Sequence, residues 1–217
     1  MPRRKDRDEG FSLIELMISM SVFSLLMAII MSAFIMSMNQ AKDAVARADT
    51  ADEMRLAVAQ LDSQIRSGSV IKDPSAESVS AAGVPAGYSV RILTSRGGIE
   101  TCAQWRVEFD ADGTGNLEFR SWPAWVPDDT SGWTQVATGL IAPRTPFSAA
   151  DATTYAPFSM DDASGTDSVM KSLKITLRVR TEGTDDMGKA ALITTTVTGR
   201  NTIFGSGGLE CAHVPTP

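Results

Sequence analysis

Histidine and cysteine are scarce in this chain, whose 217 residues include one histidine and two cysteines. A metal site built on cysteine and histidine ligands needs more of both, so the composition excludes this kind of site. The one histidine, His213, also argues against a Ser-His-Asp or Cys-His enzyme, because it lies in the last residues of the sequence. We therefore expect a protein that is not an enzyme and that requires no cofactor.

Basic residues are also fewer than acidic residues. The chain has 20 lysine and arginine residues against 26 aspartate and glutamate residues, a formal net charge of −6. Proteins that bind nucleic acid through bulk charge need a basic surface, so nucleic acid is not an expected partner. The apolar content of 43% excludes a chain that is disordered throughout.

Charged residues are almost missing from residues 11–41, where Glu15 is the only one. The run from Leu16 to Met38 is long enough to cross a bilayer core of ~30 Å as a helix rising ~1.5 Å per residue. Basic residues occur within residues 1–10 and then not before Lys42. The positive-inside rule predicts a single-pass protein of the cytoplasmic membrane, with residues 1–10 inside and the rest exported. A plain signal anchor has the same charge pattern.

Glu15 is the feature that a plain anchor does not need, because a carboxylate near an apolar helix is costly unless it lies at the interface, is protonated or is paired. It lies within GFSLIEL, residues 10–16, after a short charged leader and before the apolar run. Over residues 1–40 this order of features closely resembles the cleavage and methylation motif of type IV prepilins and pseudopilins.

The resemblance implies that a prepilin peptidase cuts between Gly10 and Phe11 and that the new amino group of Phe11 is methylated. Gly10 has no side chain, which lets an extended backbone enter a tight protease cleft. Glu15 is then placed to pair with the Phe11 amine of a neighbouring subunit, since two buried opposite charges tolerate low dielectric better than either alone. The partners implied are the prepilin peptidase, other pilin or pseudopilin subunits, and an assembly platform at the membrane.

Glycine and proline are both missing between Gly10 and Gly68, which favours one continuous helix over about residues 11–67. Beyond the membrane run, apolar or small residues recur every three or four positions, as in an amphipathic helix. We therefore divide the chain into a leader (1–10), a membrane or filament-core helix (11–40), an amphipathic continuation (41–67) and an exported head (68–217). The stripe comprises Met38, Ala41, Val45, Ala48, Ala51, Met54, Val58, Leu61 and Ile65, and the acid–base pairs beside it are Asp43–Arg47, Asp52–Arg55 and Asp62–Arg66.

The head has the period-two alternation of β-strands. Apolar and polar residues alternate from Ser172 to Arg180, and a β-prone segment from Ala191 to Thr202 follows a Gly- and Asp-containing link, which predicts an antiparallel hairpin. Residues 73–85 and 142–165 are predicted loops. The fold class is α+β, a long N-terminal helix on a mostly antiparallel sheet, which is the pilin-like shape. Further predicted strands are Gly87–Leu93, Gln104–Phe109, Leu117–Trp122 and Thr134–Ile141.

Cys102 and Cys211 are the only cysteines. In an exported head oxidation is permitted, and we predict a disulfide that ties the C-terminal tail to a central strand. Closing a loop of about 110 residues is worth on the order of 4–5 kcal/mol in the chain-entropy model. Two independent buried thiols are the alternative.

Two further segments have alternative interpretations. Asp110, Asp112, Thr114 and Asn116 present side-chain oxygens at alternating positions, as in the start of an EF-hand calcium loop. The alternative, which we favour, is a Gly- and Asp-rich hairpin turn between two strands. Trp122, Trp125 and Trp133 either contact a partner or ligand, or cover the head core beneath a Pro-bearing loop, and we favour the second.

The function that these features predict is a minor pilin or pseudopilin, a structural subunit of a type IV pilus, type II secretion or competence filament. Residues 61–66 resemble the minor pseudopilin J family of type II secretion. The alternatives are a membrane-anchored adhesin or DNA-uptake receptor at a filament tip, which a basic groove in the head would favour, and a tethered exported enzyme.

Overall fold

The computed structural model describes residues 12–77, 85–110, 112–126, 130–142, 154–161, 172–180, 191–199, 203–204, 211 and 214–215. The chain divides into two compact units, Met1–Val45 and Ala46–Pro217. The division falls inside the helix α1 (Leu13–Ser67), which is 55 residues long and α-helical throughout. The continuous helix expected from the lack of glycine and proline is therefore confirmed from Leu13 onward.

In the first unit the serines of α1 turn their hydroxyls back onto the helix. Ser21 donates to the carbonyl of Met17, and Ser24 donates to the carbonyl of Met20, both at 2.8 Å. These bonds satisfy the hydroxyl donors without an outside partner. Serine residues therefore do not interrupt the apolar character of this part of the helix.

In the second unit α1 contributes one face to the core. Met54, Ala57, Leu61 and Ile65 are fully buried, whereas Leu56, on the opposite side, is 73% exposed. The buried residues follow the helical spacing of three and four, so the predicted stripe contacts the sheet from Met54 onward. Of the stripe residues nearer the N-terminus, Met38 and Val45 are exposed.

The helix ends where its last turn meets the sheet. Gly68 begins the first strand directly after Ser67, and a Cβ at this position would lie 2.7 Å from the Ile92 side chain. Only glycine leaves room at this position for the Ile92 side chain. The expected end of the helix before Gly68 is confirmed.

In the described part of the second unit, one sheet contains nine strands. They are β1 (Gly68–Ile71), β2 (Ser89–Arg96), β3 (Ile99–Phe109), β4 (Thr114–Pro123), β5 (Thr134–Ile141), β6 (Phe158–Asp161), β7 (Ser172–Val179), β8 (Ala191–Thr198) and β9 (Ile203–Phe204). Their order is β6-β7-β5-β4-β3-β2-β1-β9, and β8 pairs with β7. The described strand pairs are antiparallel except β1 with β9, which is parallel. The α+β class is thereby confirmed.

The two faces of β2, β3 and β4 have different characters. Val90, Ile92, Trp105, Val107 and Leu117 belong to the main core together with the buried residues of α1. Trp105 also donates its Nε1 hydrogen to the Oε1 of Gln64 at 2.7 Å, which fixes the helix against the sheet. Alternate residues of the same strands point away from this core, and they are largely polar.

Several predicted boundaries were wrong. The predicted loop 142–165 contains β6, and no strand was predicted for β1, because four-residue strands are too short to show alternation. The strand predicted as Gly87–Leu93 is Ser89–Arg96, since Gly87 has a φ of +82°, outside the extended region. The hairpin of β7 and β8 is confirmed, although β8 ends at Thr198.

Candidate functional site

The N-terminal end of α1 carries the acidic residue of the predicted processing motif. Gly10 and Phe11 lie outside the described residues, and the description begins at Ser12. The carbonyl of Ser12 accepts from the backbone N–H of Glu15 at 3.0 Å and of Leu16 at 3.2 Å. Glu15 thus lies in the first turn of the helix, where the helix dipole favours a negative charge.

The helix that follows presents apolar side chains to its surroundings on all sides. From Leu13 to Met38 the large apolar residues are 44% to 78% exposed. Among the described residues, α1 is the single helix that is both long enough and apolar enough to cross a membrane. A surface of this kind is stable in a lipid bilayer or against other apolar helices, and costs free energy in water.

Cys102 and Cys211 form a disulfide, with their Cα atoms 5.7 Å apart. The bond lies in a second, smaller core with Val70, Leu93 and Trp122. Cys211 has a φ of +54°, a left-handed conformation that is uncommon for a residue with a side chain. The structure thus has the predicted connection between a central strand and the C-terminal tail.

Three arginines line the sheet face on the same side as the disulfide. Arg91, Arg106 and Arg120 are 7%, 8% and 2% exposed. Arg91 and Arg120 lie on either side of Gln104 in the register of β2, β3 and β4. Sequence reasoning missed these residues, because polar residues at alternate positions of a strand usually face solvent.

Each arginine has partners that offset its burial. Arg106 forms ion pairs with Glu108 and Glu118, both at 2.6 Å. Arg91 donates to the carbonyl of Cys211 at 2.5 Å, and Arg120 donates to the carbonyl of Pro215 at 3.0 Å. Arg91 and Arg120 therefore bind the tail to the sheet, in addition to the disulfide.

Aromatic and acidic side chains complete this buried cluster. The guanidinium carbons of Arg106 and Arg120 lie 4.0 and 4.2 Å from the centre of the Trp133 ring, within the range of cation–π contacts. Burial, followed by repulsion from Arg106 and Arg91, lowers the pKa of Arg120 to about 10. Burial also raises the pKa of the Glu77 carboxyl above its ordinary value, although the ion pair with Arg91 opposes the change.

The candidate calcium segment forms the turn between β3 and β4. The Oδ1 atom of Asp112 accepts from the backbone N–H of Thr114 at 2.8 Å and from its hydroxyl at 2.6 Å. The N–H of Asp110 donates to the carbonyl of Thr114 at 2.7 Å, and Gly113 has a φ of +82°. This geometry accounts for Asp112 and Thr114 as turn residues. Calcium binding by Asp110, Asp112, Thr114 and Asn116 stays a prediction.

The three clustered tryptophans have different environments. Trp122 is 1% exposed and packs beside the disulfide. Trp133 faces Arg106 and Arg120, whereas Trp125 is 67% exposed. The expectation that the three cover the core together is therefore wrong for Trp125, because its ring lies outside the small core.

Comparison with known families identifies the N-terminal segment. Residues 5–31 match the family model described as the prokaryotic N-terminal methylation motif. The matched segment lies within residues 1–40, which resemble type IV prepilins and pseudopilins, so the match supports that resemblance. The motif implies processing by a prepilin peptidase and assembly with other pilins, and with the apolar part of α1 it fits a membrane-anchored structural subunit. Searches of curated proteins and of solved structures found no significant match.

Proposed function

We propose that the chain is a minor pilin or pseudopilin, a structural subunit of a short filament that spans the cell envelope. The observation that carries the proposal is the methylation motif at residues 5–31 followed directly by a helix with an exposed apolar surface. A soluble protein would bury such a surface, whereas a filament subunit holds it in the membrane before assembly and against other subunits afterwards. The chain then supplies shape and contacts, and the machine's ATPase supplies the work.

The proposed topology places residues 1–10 in the cytoplasm and the head on the exported side. The charge distribution around the apolar run supports this orientation. The disulfide between Cys102 and Cys211 also supports it, because disulfides form and persist in oxidising compartments. In this arrangement Glu15 lies near the membrane edge, four residues after the Phe11 amino group that cleavage would create.

A DNA-uptake receptor at a filament tip is less well supported than a structural subunit. Such a receptor needs accessible cations along a groove. In the part of the head that the structure describes, the clustered cations Arg91, Arg106 and Arg120 are buried and are bonded to carbonyl and carboxylate oxygens. Their positive charge is therefore used inside the fold.

Processing by a prepilin peptidase is the direct test. Co-expression of the full chain with an active peptidase should remove residues 1–10 and leave an N-methylated Phe11, which intact-mass measurement of the membrane fraction detects. A Gly10→Val variant provides the matched control and should stay uncut, because its side chain obstructs the cleft. A wild-type chain that still begins at Met1 in the presence of the active peptidase would refute the proposal.

A further inference from the structure

One row of polar side chains crosses three strands on the sheet face that carries the disulfide. Arg91 on β2 pairs with Gln104 on β3, and Gln104 pairs with Arg120 on β4. Residues directly opposite each other in neighbouring strands point to the same face. Adjacent strands lie about 4.8 Å apart, so the backbones of the two arginines are about 10 Å apart across the sheet. We call Arg91, Gln104 and Arg120 the donor row.

The next row on the same face contains the disulfide. Leu93 pairs with Cys102, and Cys102 pairs with Trp122, so each residue of this row lies two positions along its strand from the donor row. Cys211 contacts both rows. Its sulfur is bonded to Cys102, and its carbonyl accepts from Arg91 at 2.5 Å. The side chain and the main chain of Cys211 are thus held by different residues.

Bonds among residues that precede the tail hold the donor row in position. The Nε of Arg91 pairs with the Oε1 of Glu77 at 2.5 Å, and the Nε of Arg120 donates to the Oε1 of Gln104 at 2.9 Å. The Nε2 of Gln104 in turn donates to the Oγ of Ser89 at 2.9 Å. All five residues precede the C-terminal tail in sequence, so these bonds do not require the tail. Donors that are ordered in advance lose less conformational entropy on binding.

Main-chain carbonyls of the tail are the ligands of the donor row. Arg91 donates to the carbonyl of Cys211, and the Nη2 of Arg120 donates to the carbonyl of Pro215 at 3.0 Å. Hydrogen bonds from a charged donor are stronger than those between neutral groups. Cys211 and Pro215 are four positions apart, which at about 3.3 Å per residue is enough to span the distance between the two arginines. These contacts fix the position of Cys211 without using the disulfide.

We propose that the donor row is a binding site for the main chain of the tail, which holds Cys211 beside Cys102 before the two thiols are oxidised. The site takes carbonyl oxygens, so its specificity depends on the path of the chain and not on the side chains of the tail. The disulfide then locks an arrangement that the arginines have already formed. This inference goes beyond the filament role and does not depend on it.

Binding of the tail changes the rate of disulfide closure, because the second thiolate has to reach a mixed disulfide. With glutathione disulfide as the oxidant, the thiolate of one cysteine attacks it and releases a first glutathione. The thiolate of the other cysteine then breaks the mixed disulfide and releases a second glutathione. The protein loses two electrons, and its two thiol protons end on the released glutathiones. A bound tail raises the effective concentration of the second sulfur.

Alkylation of the reduced thiols tests the proposal on the full chain in detergent. The chain is reduced, freed of reductant and treated with iodoacetamide, and peptide mapping follows the reaction of Cys211. In the reduced wild type Cys211 should react about tenfold more slowly than in urea, because the bound tail keeps its thiol in the small core. Arg120→Met should remove most of this protection, since it deletes a charge-assisted bond worth about tenfold. Arg178→Met is the matched control and should not, because Arg178 lies over the ring of Tyr155.

Disulfide closure by glutathione disulfide is the second measurement. Arg120→Met should close the bond about tenfold more slowly than the wild type. Arg91→Met combined with Glu77→Gln removes the other donor without leaving a buried charge unpaired, and it should also slow closure. Arg178→Met should close at the wild-type rate. Urea unfolding of each reduced chain checks that the head of the variant is folded.

Two outcomes would overturn the proposal. Reaction of Cys211 in the reduced wild type as fast as in urea would show that only the disulfide holds the tail, and this result needs no variant. Equal closure rates for the wild type and for folded variants of the donor row would show that the arginines do not position the tail. Cleavage after Gly10 is measured separately, so neither outcome decides the proposed function.

Discussion

Arg91 and Glu77 form an ion pair of 2.5 Å in which both side chains are buried, the arginine 8% exposed and the carboxylate 1%. The same arginine donates to the carbonyl of Cys211, so the pair connects β2 both to the segment after β1 and to the tail. A buried ion pair of this kind often adds little net stability, but the loss of one partner leaves the other charge buried and unpaired. The stability of the head should therefore be sensitive to replacement of either residue alone.

Replacement of Arg91 by methionine should therefore destabilise the head by about 3–5 kcal/mol, because the Glu77 carboxylate is left without its cation. The double variant Arg91→Met with Glu77→Gln should recover part of this loss, since it buries no unpaired charge. Urea unfolding in detergent, followed by tryptophan fluorescence, measures the free energy of unfolding, and all four tryptophans lie in the second unit. Equal stability of the single and double variants would contradict this account.

The raised pKa of Glu77 predicts an unusual pH dependence. The folded state binds the Glu77 proton more readily than the unfolded state, whose carboxyl has the ordinary pKa of 4.5. Between the raised folded pKa and 4.5, the contribution of Glu77 to stability should increase as the pH falls. The stability of the wild type relative to Glu77→Gln should therefore increase on acidification through this window, as urea unfolding at a series of pH values would show.

Asp112 provides the matched control for this pH effect. Hydrogen bonds from Thr114 lower the pKa of Asp112 below its ordinary value of 3.8. The contribution of Asp112 to stability is thus present above pH 3.8 and is lost as the pH falls through the lowered folded pKa. Between pH 4.5 and 7, Asp112→Asn should leave the slope of the unfolding free energy against pH unchanged. If Glu77→Gln also left that slope unchanged, the effect could not be assigned to Glu77.

Loss of the disulfide should destabilise the head by a few kcal/mol. The two cysteines are separated by 109 positions, for which the entropy model gives about 4–5 kcal/mol. We expect less than this value for Cys102→Ala with Cys211→Ala, because the bonds from Arg91 and Arg120 to the tail carbonyls keep part of it docked. Unfolding of the oxidised and double-variant chains measures the difference. Two free thiols in wild-type protein from the exported side would contradict the expected oxidation.

Glu15 should matter for assembly and not for folding. Glu15→Val removes the acid proposed to pair with the Phe11 amine of a neighbour, so the variant should enter the membrane but fail to enter filaments. Asp52→Ala, at an exposed position of the same helix, is the control and should assemble normally. Incorporation into sheared filaments, measured by immunoblot, compares the two. Normal incorporation of Glu15→Val would show that the charge pair is dispensable in this subunit.

Long and strongly periodic elements could be predicted from the sequence. The helix was predicted from the lack of glycine and proline, and the hairpin of β7 and β8 from alternation over eight residues. The arginine cluster could not be predicted, because the carbonyls of Cys211 and Pro215 that it binds are distant in sequence from its strands and follow no periodicity. The same holds for Trp125, whose environment differs from that of Trp122 only through tertiary contacts. The processing motif needs no tertiary structure, since a peptidase reads it as local sequence.

The wide separation of Cys102 and Cys211 also sets a sequence of events during export. In a chain that crosses the membrane, residues 103–210 must follow Cys102 to the oxidising side before its partner arrives. Until then the Cys102 thiol is open to other oxidants and to the cysteines of other chains. In an exported head, closure of the bond would therefore mark completed translocation, because a subunit arrested halfway would still carry the free Cys102 thiol.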